Sequence, residues 1–118
     1  MPVTDAERLG WQRRAVTVLA GLLERAEREG LPLMDWSVPP GLSLVARPRS
    51  GRVGRSPQNR VDWQRWCAAL GVRGRESTAA TGSVFLSAVA EVPGPEAGPR
   101  VTVAVMTEVL PGDEEAGR

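Results

Sequence analysis

Six arginines are the side chains in this sequence best suited to act on something outside it. Arg47, Arg49, Arg52 and Arg55 fall within nine residues, interleaved with Pro48, Gly51 and Gly54, and Arg60 and Arg65 follow. A guanidinium presents a planar fork of N–H donors that matches phosphate or carboxylate, and nearby glycines let backbone N–H groups approach the same anion. The chemistry on offer is recognition of a nucleic-acid backbone or another phosphate ligand. Charge is segregated along the chain. Residues 47–75 hold eight arginines against Asp62 alone, residues 76–118 hold seven acids against two arginines, and the whole chain nets only +1. A solvated basic loop that balances the acidic third explains the same pattern without any ligand.

The other chemical candidates are weaker. Gly51-Arg52-Val53-Gly54 has the G-x-x-G form that clamps nucleic-acid backbone in KH domains. That loop joins two helices, whereas a strand precedes this one, and Gly71-Val72-Arg73-Gly74 repeats the pattern, so it specifies nothing. Trp63 and Trp66 could stack on bases, but their i,i+3 spacing with Leu70 reads as a buried helix stripe. Cys67 lies on that stripe and reads as a small hydrophobe. As the only cysteine, it excludes an internal disulfide and a cysteine-rich zinc site.

Absent residue types narrow the classes further. There is no histidine and no tyrosine, and all fifteen basic residues are arginine, so lysine is missing too. That removes the usual general base near neutral pH, the commonest metal ligand, Schiff-base chemistry and the phosphate-loop lysine. The carboxylates at Glu76 and at Asp113, Glu114 and Glu115 have no companion at catalytic spacing. The expectation is a non-enzyme with no catalytic residues, no metal and no cofactor. Arginine without lysine, together with abundant Ala, Gly, Val and Pro, fits a bacterial chain from a GC-rich genome.

The elements that position these residues follow from pattern. Thr4 and Glu7 form a capping box, Gly30 suits a helix C-cap and Pro32 blocks continuation, predicting a helix over 5–29. Its apolar residues (Leu9, Val16, Leu19, Leu23 and Ala26, widened by Trp11, Ala15, Val18 and Leu22) predict one broad buried stripe. Short strands are predicted over 33–38 and 42–46 around the Pro39-Pro40-Gly41 turn. Residues 47–59 read as an Arg-rich loop, and a second helix is predicted over 57–70, opened by Pro57 and ended by Gly71. Residues 72–81 read as a polar connection. Alternating apolar positions predict strands over 82–92 and 101–110.

The resulting expectation is an α+β two-layer sandwich in the order α-β-β-α-β-β. Two helices cover one face of a mainly antiparallel four-stranded sheet in a single domain, 1–110, with a flexible acidic tail over 111–118. The opposite sheet face then carries Phe85, Val89, Met106 and Leu110, more apolar than solvent requires and a candidate partner interface. Ala15 to Leu23 is about half the length of a membrane span, and the acidic flanks of Arg13–Arg14 favour an amphipathic helix over an export signal. No membrane association is expected, and a cytoplasmic location follows. The function expected is a small accessory protein that binds a macromolecule, a protein partner or a second copy. The alternative is nucleic-acid or phosphate binding through Arg47, Arg49, Arg52, Arg55, Arg60 and Arg65.

Overall fold

The structure is a computed structural model that describes residues 2–48 and 56–111. Helix α1 spans Asp5–Glu29. Its first turn is capped by Thr4, whose hydroxyl accepts from the Glu7 N–H at 3.1 Å. Gly30 ends it in the left-handed conformation at φ 64°, which a side chain would strain, and donates its N–H to the Ala26 carbonyl. A hairpin follows: β1, Met34–Ser37, pairs antiparallel with β2, Ser43–Pro48. Helix α2 spans Ser56–Leu70 and ends at Gly71. Strands β3 (Arg75–Thr78), β4 (Val84–Val92) and β5 (Val101–Val109) form an antiparallel meander.

Among the described residues the sheet has five strands in the order β1-β2-β5-β4-β3. The predicted four-stranded, mainly antiparallel sheet is corrected in two respects. First, the stretch read as a polar connection contains β3, an edge strand whose four residues are all exposed. A strand that buries nothing leaves no apolar alternation, and only its backbone pairing with β4 defines it. Second, the sheet is mixed: β5 pairs antiparallel with β4 and parallel with β2. Helix α2 carries the chain from β2 to the far edge, and the meander returns to the middle. At the centre, β5 is the most enclosed strand: its inward residues Val101, Val103 and Val105 are fully buried and Val109 nearly so.

Both helices lie on one face, as predicted. The core joins Ala15, Val18 and Leu22 of α1, Trp63, Trp66 and Cys67 of α2, and the inward residues of β2, β4 and β5. The indole N–H of Trp63 donates to the Val105 carbonyl at 3.0 Å, and that of Trp66 donates to the Pro32 carbonyl at 2.9 Å. Trp36 meets Trp66 edge to face, centroids 5.4 Å apart. The tryptophan pair of α2 is therefore core and offers no base-stacking platform.

The broad stripe expected on α1 is split. Ala15, Val18 and Leu22 are buried, but Leu9, Val16 and Leu23 are 60%, 49% and 46% exposed. The sheet is wide enough to cover only one side of the apolar arc.

Burial pushes the Cys67 thiol above its ordinary value of 9.0, partly offset by a backbone hydrogen bond, so it stays protonated at neutral pH. The folded chain holds this proton longer than the unfolded chain. The associated stability is intact below the ordinary value and is lost as pH rises toward the folded one. A thiol-specific reagent at about pH 8 is expected to label native protein far more slowly than denatured protein. Cys67→Val should flatten the decline in denaturant midpoint between about pH 8 and about pH 10. Equal labelling rates in the two states would contradict the enclosed position.

Candidate functional site

The arginines do not act as one group. Arg60, on α2, pairs with Glu76 of β3 and ties that edge strand to the helix layer. Arg65 donates to the Gly30 carbonyl, satisfying the C-terminal end of α1 and placing a cation where the helix dipole favours one. Arg47 is exposed on β2, across from Asp35 of β1. Arg49, Arg52 and Arg55 lie outside the described residues, as does 112–118, most of the predicted acidic tail. Of the predicted loop over 47–59, Arg47 and Pro48 close β2, and Ser56, Pro57, Gln58 and Asn59 belong to α2. The structure therefore gives Arg60 and Arg65 intramolecular partners.

Three of the four predicted interface residues share one surface. Outward positions alternate with the buried ones along β4 and β5, so Phe85, Val89 and Met106 lie on the face that no helix covers. Leu110 is exposed but follows the last residue of β5. Phe85 is 45% exposed and Val89 58%. Across the sheet, Val89 stands beside Ala104, which stands beside Val45 of β2. Sequence reading missed Val45 because the parallel register that brings β2 against β5 is invisible to local pattern. The result is an apolar centre of Val45, Phe85, Val89, Ala104 and Met106.

Polar groups rim this centre. Ser87 lies between Met106 and Arg75, and Glu108 lies beside Phe85. The Thr102 hydroxyl donates to a Glu91 carboxylate oxygen at 2.9 Å. Arg47 and Arg75 face three carboxylates, Asp35, Glu91 and Glu108, around the rim. Among the described residues the rim mixes both signs, which suits a protein surface with an apolar centre.

A further anchor concerns Arg14. Its guanidinium donates to the carbonyls of Pro99 at 2.6 Å and Glu96 at 3.1 Å, latching the β4–β5 connection onto α1. Gly94 and Gly98 lie against it, close enough that a Cβ at either would crowd the guanidinium. The double arginine at 13–14 thus divides its roles, with Arg14 holding a loop while Arg13 stays exposed.

Among the described residues no helix is long and apolar enough to cross a membrane, and no cluster of three or more His, Cys, Asp or Glu is placed to hold a metal ion. The fold and this surface define a two-layer α+β domain with one open sheet face. No protein-family model, no curated protein and no solved structure matches the chain.

Proposed function

We propose that this chain is a non-catalytic cytoplasmic accessory module that binds a protein partner on the open face of its sheet. The observation that carries this reading is the contiguous apolar centre of Val45, Phe85, Val89, Ala104 and Met106 on the uncovered side of the sheet. Buried apolar residues at the middle of an interface supply most of its binding energy, and a polar rim supplies register. The absence of histidine, lysine and tyrosine from the sequence agrees with binding rather than catalysis.

The test is affinity capture with folded variants. Val89→Glu puts a charge at the centre of the face, at a position already exposed, and is expected to keep the wild-type melting curve while losing the partner. A partner kept equally by wild type and Val89→Glu would overturn the reading.

The second reading, phosphate or nucleic-acid binding, rests on the clustering of Arg47, Arg49, Arg52 and Arg55 in sequence. Each arginine that contacts a phosphate should lower the salt slope of binding by about one when replaced by alanine. Arg60→Ala and Arg65→Ala are expected to alter stability instead. Titration of a labelled oligonucleotide against salt separates the two readings, and salt-independent or absent binding removes this one.

A further inference from the structure

The α1 surface left bare by the sheet has an order of its own. Leu9, Val16 and Leu23 are seven residues apart, so they form a nearly straight apolar line along the helix. Arg13, Ala20 and Glu27 lie on the same strip, and Ala20 is equidistant in sequence from the two charges. Among the described residues Arg13 and Glu27 form no ion pair. The strip runs along the β1 side of the molecule, as two hollows show. One of about 430 Å³ is lined by Gln12, Arg13, Val16, Thr17 and Val38. The other, about 230 Å³ and mainly apolar, is lined by residues that include Leu23, Ala26, Leu31, Leu33 and Trp36.

We propose that the chain forms a two-fold homodimer in which α1 packs antiparallel against α1 of a second copy, with Ala20 on the axis. That arrangement sets Arg13 against Glu27 of the other copy twice, and Val16 against Leu23 twice. The small Ala20 lets the helices approach closely at the centre. Leu9, an exposed apolar knob at one end, reaches the end of the opposing helix, where Leu31 and Leu33 open the apolar hollow. Parallel pairing would oppose Arg13 to Arg13 and Glu27 to Glu27, so the charge order selects the antiparallel one. The strip is self-complementary in charge, which a two-fold contact requires.

The seam from Leu9 to Gly30 is about 30 Å long and about 10 Å wide on each helix, so the two strips amount to about 600 Å² in total, below the range of stable specific interfaces. Association is accordingly weak and concentration-dependent. This surface is separate from the open sheet face, so the dimer and the partner reading stand or fall independently.

Analytical ultracentrifugation of the full chain from about 1 to about 300 μM, a range set by the modest area, tests the proposal. The expected result is a shift from 12.7 kDa toward twice that mass. Arg13→Glu or Glu27→Arg alone should weaken the dimer by about tenfold, two opposed pairs becoming two like-charge pairs. The double variant Arg13→Glu/Glu27→Arg should restore it. Val16→Glu should leave a folded monomer, Val89→Glu should leave the dimer intact, and Ala20→Cys should cross-link to itself under mild oxidation. A 12.7 kDa mass at every concentration would overturn the dimer. Loss through Val89→Glu with retention in Val16→Glu would overturn the α1 site, and a charge swap that fails to rescue would overturn the antiparallel order.

Discussion

Truncating Trp66 to alanine is expected to cost about 3–5 kcal/mol, the range for removing a fully enclosed aromatic side chain. Trp66 is 1% exposed and the largest of the fully buried side chains. Its loss removes three things together: the fill between α2 and the β1 hairpin, the edge-to-face contact with Trp36, and the donor to the Pro32 carbonyl. The melting temperature should fall by about 12–20 °C, at about 4 °C per kcal/mol for a domain of this size. Trp66→Phe keeps most of the volume but not the N–H, so it should cost less and leave the Pro32 carbonyl without that partner. Thermal melts of the two variants, with Trp36→Phe completing a double-mutant cycle, separate packing from hydrogen bonding. A Trp66→Ala loss below about 1 kcal/mol would mean that this junction is not packed as described.

The second large effect is expected at Gly74. A Cβ on this residue would fall inside the van der Waals envelope of Cζ2 and Cη2 of Trp63. That ring cannot retreat easily, because it is 5% exposed and its N–H is anchored on the Val105 carbonyl. Gly74→Ala is therefore expected to cost about 3 kcal/mol, at the upper end for overpacking a core. The compensating change is Trp63→Phe, whose smaller ring withdraws the crowded atoms. The double variant should be more stable than Gly74→Ala alone, although Trp63→Phe by itself is destabilising. Denaturant melts of the three proteins check the sign of the coupling, and simple additivity would show that the two groups do not touch.

Legibility in the sequence follows how locally each feature is encoded. Thr4, Glu7 and Gly30 mark the ends of α1 through bonds made within three or four residues, and the structure places α1 at 5–29 as predicted. The alternation of β4 and β5 is equally local, and both faces of those strands are as expected. Strand β3 was hidden because an exposed edge needs no apolar residues. The parallel β2–β5 pair was hidden because it joins segments some sixty positions apart whose register no turn dictates. On α1, periodicity identifies the apolar residues but not how far the sheet extends beneath them, so Leu9, Val16 and Leu23 look like core in sequence yet lie exposed. At the arginines, type and spacing were visible, but not that Glu76 and the Gly30 carbonyl occupy two of them.

The strand order has a consequence for how the molecule comes into being. Among the described residues the strand that comes latest in the chain, β5, is the middle one, flanked by the β1–β2 hairpin on one side and by β4 and β3 on the other. Until residues 101–109 leave the ribosome, the nascent chain holds two unjoined sheet fragments and helices with nothing complete to rest on. Any mutation that stops translation before Val101 therefore removes the keystone rather than trimming an edge. Such a product is expected to lack a joined sheet rather than to be a shortened version of the fold.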